Sequence, residues 1–261
     1  LSPRGRTVLR EVPPAFVARA DTPDPKANEA GAAPDFGVVR ELFKVAAPPP
    51  SSGTTVVVVP DRADLLHESV HDFYEREGET WVLRRTGGSG DTQVSVSEIV
   101  DHQHPWTRAT VTIQSDHARI RKLARRIGGR EERVHRLVSV LNGWVFERIT
   151  KRSTATFSSA LETLNAGFGD CGEHAALLTA LLRARGIPAR VFLGLVYVGS
   201  EGGYLYHAWT GVHVRGKWLF ADPAFGRFPV RGGLVPLVVD DTGENALYLS
   251  RLIGRVRIEH R

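Results

Sequence analysis

The sequence predicts an α+β fold, a central helix packed on an antiparallel sheet and preceded by a small β-rich unit. Three observations carry that prediction. Strand-like segments dominate residues 51–114, the periodicity turns helical after Ser115, and three strand-like segments succeed one another from Ala189 onward. Helices grouped in one block and strands in another suit α+β rather than a doubly wound sheet. The 261 residues, 42% hydrophobic and 24% charged, suffice for one large or two small domains with a buried core. The longest apolar runs, Val56–Val59 and Ala175–Leu182, fall far short of the ~20 residues of a membrane helix.

Nine of the 15 prolines lie in the first 50 residues, mixed with Ala, Gly and Asp. Proline supplies no amide donor, so residues 1–50 read as a tail or linker. Within 51–114, Thr54–Val59, Thr80–Arg85, Gln93–Val100 and Thr107–Gln114 are rich in Val, Thr and Trp, and Gly87–Gly90 breaks the run. These read as the strands of a small β-rich domain. Residues 115–261 make the third unit. Asp116–Ile127 is helical and stops at Gly128–Gly129. A second helix, about Glu131–Thr150, places Val134, Leu137, Val138, Leu141, Val145 and Ile149 on one stripe. Ser159 and Glu162 have the spacing of a capping box, and so do Asp170 and Glu173, which open a helix running to Arg185. Gly186 and Pro188 close it, and strands are expected at Ala189–Val198, Tyr204–Val214 and Lys217–Ala221.

The net charge of +5 is uneven. Residues 115–152 hold 11 Lys/Arg against 4 acids, a segment charge of +7 that leaves −2 for the rest. Such a stripe suits an anionic partner in principle, but no nucleic-acid motif accompanies it, and the solvated faces of two helices account for it. No nucleic-acid partner and no membrane span are expected. Methionine is absent, at position 1 included, so a processed or trimmed product is expected, with an extracytoplasmic (periplasmic or secreted) location.

Cys171 is the only cysteine, which excludes an intramolecular disulfide. With Asp170 as N-cap it takes the first helical position, where free backbone N–H groups and the helix dipole favour a thiolate. The helix behind it is apolar nearly all round, as a rigid mount for a nucleophile should be. A lone cysteine is more often a small buried hydrophobe, so the argument needs partners. His213-Val214-Arg215-Gly216-Lys217-Trp218 reads as a hairpin. If Arg215-Gly216 is a two-residue loop, Val214 pairs with Lys217, and Asp222 becomes the diagonal neighbour of His207 on one face. A three-residue loop would put the two on opposite faces. In the first register Asp222 orients His207, and the other ring nitrogen can serve the thiol, the logic of a Cys-His-Asp triad. Taken singly, His207 reads as a half-buried strand histidine and Asp222 as a turn former before Pro223.

Four ordered motifs then resemble the bacterial transglutaminase-like family over about 116–230. They are Gly169-Asp170-Cys171-Gly172-Glu173-His174-Ala175, Leu182-Arg183-Ala184-Arg185-Gly186-Ile187-Pro188-Ala189-Arg190-Val191, Tyr206-His207-Ala208-Trp209 and Trp218-Leu219-Phe220-Ala221-Asp222-Pro223. The resemblance implies a papain-like core, with Cys171 as nucleophile, His207 as base and Asp222 as orienting acid. It implies acyl transfer from amides, with proteases and peptidases among bacterial members. The expected reaction is thiol-dependent cleavage of a peptide or isopeptide amide in a protein or peptide substrate, through a thioester and without a cofactor. The backbone N–H of Cys171 supplies one oxyanion donor, with Asn165 and Trp144 as candidates for the second. Trp209 is expected to wall the substrate cleft, His174 to tune the thiol or serve structure, and Glu173 to cap the helix. Two other readings stand beside this one: a transglutaminase joining Gln to Lys, and a silent binding module with an occluded triad.

His67-Glu68-Ser69-Val70-His71 matches the HExxH zinc pattern. Its context is poor: the helix would be short, and only Glu98, His102 and His104 offer a third ligand nearby. A surface segment with a coincidental pattern is the expected reading, and no metal site is assigned.

Overall fold

Residues 44–47, 56–60, 66–84, 93–152, 158–244, 248–249 and 251–261 are described by the computed structural model. In chain order its elements are β1 (Lys44–Ala46), β2 (Val56–Pro60), a 3-10 turn (Glu68–Phe73), β3 (Tyr74–Glu77), β4 (Thr80–Leu83) and α1 (Val96–Ile99). Then come α2 (Ala118–Gly128), α3 (Val134–Arg148), β5 (Thr150–Lys151), α4 (Ala160–Ala166), β6 (Phe168–Gly169) and α5 (Cys171–Ala184). The strands β7 (Ala189–Val198), β8 (Gly203–Val214), β9 (Lys217–Asp222), β10 (Arg227–Val230), β11 (Leu234–Val239) and β12 (Val256–His260) complete it. The architecture is α+β. One antiparallel sheet runs β10-β9-β8-β7-β11, with β1 beside the start of β8, and a smaller one runs β12-β2-β4-β3.

α5 is the centre of the molecule. Its Ala and Leu residues leave no polar face, and every residue from Gly172 to Arg183 is buried; a helix apolar all round must be covered on all sides. α2, α3 and α4 flank it, and it lies on β7 and β8. Thr210 fixes that packing, its hydroxyl donating to the Ala175 carbonyl at 3.1 Å and lying 3.2 Å from the Thr179 hydroxyl. The expected stripe of α3, Val134 through Ile149, is buried at all six positions, each aliphatic side chain contributing about 1.5–3 kcal/mol. Arg183, at the far end of α5, is buried too: it donates to the carbonyls of Ala189 and Arg108 and pairs with Asp241 at 2.9 Å.

Four expectations need correction. Lys44–Ala46, inside the supposed tail, is a strand, with Val45 opposite Tyr204. Gln93–Val100 is not a strand: Ser95 and Glu98 form a capping box that starts α1, and that local bonding outweighs the alternation of Val94 and Val96. Thr107–Gln114 holds no strand either, because its hydroxyls find other partners. Thr107 donates to Asp101 and His104, and Thr110 and Thr112 both donate to the Asp241 carbonyl. Finally, residues 51–114 do not close a sheet by themselves, since β12 supplies an edge strand along β2. The two sheets also share a core: Phe73 packs 5.6 Å from Phe192 and 5.9 Å from Phe220, and Tyr74 donates to the Pro236 carbonyl. Thr54, Thr55, Arg85 and Gly87–Gly90 lie outside the described residues.

Candidate active site

The start of α5 is held by a reciprocal cap. The Asp170 carboxylate accepts from the amides of Gly172 (2.8 Å) and Glu173 (3.4 Å), and Glu173 Oε2 accepts from the Asp170 amide at 2.8 Å. Glu173 Oε1 accepts from the Ser158 amide, so this buried carboxylate also anchors the approach to α4. Cys171, the first residue of the helix, is half-buried.

The sheet side follows from a turn. Val214 pairs with Lys217, and Arg215 and Gly216 occupy the loop at φ +48° and +74°, the left-handed pair of a two-residue type I′ hairpin. The register then brings His207 and Asp222 together: Nε2 and Oδ2 are 3.0 Å apart, and both side chains are buried. Asp222 Oδ1 accepts from the amides of Ala224 and Phe225, each at 3.2 Å, so the carboxylate cannot turn away. Burial alone would raise the Asp222 pKa. The charge and hydrogen bond of His207, helped by Arg227 and the Phe225 amide, outweigh that and hold it below its ordinary value.

Helix and sheet meet here: Thr210 on β8 donates to the Ala175 carbonyl one turn after Cys171, and the Ala208 amide, next to His207, favours the Cys171 thiolate electrostatically. The electrostatics of that thiol differ from expectation. Burial, followed by the neighbouring Asp170, pushes its pKa far up. The Ala208 amide and the Lys151 ammonium oppose this without cancelling it. Cys171 therefore rests as a neutral thiol rather than a thiolate. Asp170 is itself raised, by burial first and then by its contact with Glu173.

Other expected residues fall elsewhere. Trp209 is fully buried and does not wall a cleft. It stacks 6.4 Å from His207 and 6.2 Å from Phe192, sharing the face of β8 that the inner aromatics fill. His174 is buried between two carbonyls, its Nδ1 2.6 Å from Asp170 O and its Nε2 3.1 Å from Ile149 O. It ties α5 to the end of α3, and burial lowers its pKa despite those acceptors. Asn165 is exposed and bonded to Arg119, and Trp144 packs half-buried against the core. His67 and His71 do not form a metal pair. They fall at the cap and inside a 3-10 turn, where residues four apart do not share a face. His67 Nδ1 contacts Ser69, while His71 Nε2 lies 2.9 Å from the Leu66 carbonyl and its ring stacks on Trp81. Among the described residues no group of three His, Cys, Asp or Glu is placed to hold a metal ion.

Sequence reasoning missed Lys151, Phe225, Arg227 and Gly194. The first three crowd the His207–Asp222 pair. Gly194 lies directly opposite His207 in the β7–β8 register. The run Ala224-Phe225-Gly226-Arg227 directly after Asp222-Pro223 was the available signal for two of them.

Residues 121–223 match the family model of the transglutaminase-like superfamily. This segment is a transglutaminase-like core. Of this chain, 83% superposes on 82% of a solved structure described as a candidate cysteine protease from Cytophaga hutchinsonii, at 20% identity and a TM-score of 0.51, which supports the fold. The periplasmic domain of TgpA from Pseudomonas aeruginosa aligns over 75% of this chain and 76% of its own, at 17% identity and a TM-score of 0.37. No curated protein gives a significant sequence match. Among the described residues, no helix is long and apolar enough to cross a membrane.

Proposed function

We propose that the transglutaminase-like core hydrolyses a peptide or isopeptide amide through Cys171, His207 and Asp222. The observation that carries the reading is the His207–Asp222 pair at 3.0 Å on the sheet against which α5, the helix that begins with Cys171, is packed. Asp222 accepts the Nε2 proton and leaves Nδ1 as the base. The resting thiol is neutral, so His207 takes the sulfur proton as attack begins, and the thiolate exists only as an ion pair with the imidazolium. The sulfur adds to the amide carbonyl, and the Cys171 amide N–H stabilises the oxyanion. His207 returns its proton to the departing amine as the C–N bond breaks, leaving a thioester. Water, deprotonated by His207, then adds to the thioester. The acid product leaves, and the proton returns to sulfur.

Nothing in the sequence chooses between an amine and water as acceptor. The same proposal sets the reaction outside the cytoplasm, which cell fractionation tests. The chemistry is tested by incubating the protein and its Cys171→Ala variant with a peptide library, with and without a dansylated primary amine. New N-termini from the parent alone are the expected result. Label incorporated without new N-termini would make the chain a transglutaminase instead. Equal cleavage by both proteins, or none by either, would overturn the reading.

A further inference from the structure

We propose that Lys151 and Arg227 form an anion subsite beside Cys171, so that the substrate carries a carboxylate next to the amide acted upon. The inference rests on the reading of Cys171 as the reacting thiol. The parallel pairing of β5 with β6 sets Lys151 opposite Gly169, two residues before Cys171. The Lys151 ammonium lies 3.9 Å from the centroid of the Phe225 ring, and the Arg227 guanidinium carbon lies 4.5 Å from the same ring. That ring is 5.0 Å from the ring of His207. Two cations thus share one aromatic surface that also touches the proposed base. A third, Arg152, lies 4.8 Å from the ring of Phe168, three residues before Cys171.

Asp222 is the carboxylate whose charge acts on both cations. Among the described residues, neither Lys151 nor Arg227 makes a hydrogen bond or ion pair through its side chain, and Lys151 is half-buried. The local carboxylates are already engaged. Asp222 serves His207 and two amides, Asp170 accepts from Gly172 and Glu173, and Glu173 accepts from Asp170 and Ser158. A half-buried ammonium whose one acting carboxylate is already bonded to His207 and two amides gains from an anion that can bond to it directly. Here that anion would be a substrate carboxylate, held within reach of the sulfur. Lys151 also opposes the rise of the Cys171 thiol, so a test must separate attraction of an anion from ionisation of the sulfur.

Paired alkylation separates them. Iodoacetate and iodoacetamide each give up iodide to the same thiolate, so the ratio of their rates cancels the fraction ionised. With a single cysteine the signal has one source. The ratio is expected to exceed that of the urea-unfolded chain and to fall about five- to tenfold in Lys151→Met. It should fall less in the exposed Arg227→Gln, persist in Lys151→Arg, and shrink with added salt. N-acetylglycine, with a terminal carboxylate, and N-acetylglutamate α-amide, with a side-chain one, are then compared as protectants against iodoacetamide. Whichever protects identifies the source of the carboxylate. A sulfur that reacts with both reagents at a ratio neither substitution moves, and that neither compound protects, overturns the subsite alone. A sulfur inert to both overturns the thiol chemistry and the subsite with it.

Discussion

Asp170 and Glu173 cap one another across the first turn of α5, each carboxylate accepting the other's backbone amide. Glu173 also holds the Ser158 amide from inside the protein. Glu173→Ala would strip acceptors from two enclosed amides, which predicts a loss of about 2–3 kcal/mol in urea unfolding. Ser159→Ala, which removes the cap of α4, should cost only about 1 kcal/mol. Equal losses would show that Glu173 does no more than an ordinary cap.

The neutral state of Cys171 gives a pH prediction. Its folded pKa lies above its ordinary value of 9.0, so the folded chain binds the proton more tightly. The contribution to stability is complete below about pH 9 and is lost as pH rises toward the folded value. Iodoacetamide labelling of the native protein should therefore have a midpoint above pH 9, and Asp170→Asn should lower it, since that carboxylate is the second cause of the rise. A native midpoint at or below 8.5 contradicts the prediction.

His174 acts at the other end of the scale. Burial holds its folded pKa below 6.5, so the unfolded chain binds more protons in the acid range. Its contribution is complete above pH 6.5 and is lost as pH falls through the folded value. Thermal unfolding should move to lower temperature below pH 6.5, with a shallower slope in His174→Gln; equal slopes would count against it.

Gly194 faces a crowded space. A Cβ there would sit 2.0 Å from the Val235 carbonyl oxygen and 2.9 Å from Trp209 Cη2. Gly194→Ala must part β7 from β11 and press on the tryptophan beneath His207. A loss of about 3 kcal/mol is expected, with the proposed hydrolysis falling further than the folded fraction does.

The Arg215-Gly216 turn separates stability from register. Gly216→Ala meets no steric neighbour but is strained at φ +74°, so about 1 kcal/mol is lost and activity persists. One glycine inserted between the two residues shifts β9 against β8 and turns Asp222 to the other face. Activity should vanish while circular dichroism still reports a folded sheet. Retained activity would mean that Asp222 does not orient His207.

That turn also shows why so much of the site was legible. The two-residue loop ties chain distance to strand register, so the meeting of His207 and Asp222 follows from sequence spacing. The capping boxes at Ser159 and Asp170 were equally local and equally readable. What escaped depends on long-range placement. Lys151 comes to the site through a two-residue parallel pairing with no sequence signature. The Cys171 pKa depends on enclosure, which the helix-terminus argument omitted. Trp209 was placed at the cleft because it neighbours His207 in sequence, yet alternation on β8 sends both toward the inner aromatics. The fold of 116–230 was readable for the same local reasons, while the small sheet was not, because one of its strands comes from the other end of the sequence.

That last strand has a consequence for biosynthesis. β2 leaves the ribosome about 200 residues before β12, yet they lie side by side from Val56 opposite His260 to Pro60 opposite Val256. Until β12 emerges, β2 keeps one flank open, a valine-rich ribbon with unpaired amides and carbonyls that can recruit a neighbouring nascent chain. The gap closes only once β12 has been made, and pairings over such separations form slowly. Tyr204 stands beside that closure, opposite Val45 on β1 and with its hydroxyl 3.3 Å from His260 Nε2. The half that holds Cys171, His207 and Asp222 can be complete while its companion sheet still waits for a partner, so a chaperone that shields strand edges should raise the yield of folded protein.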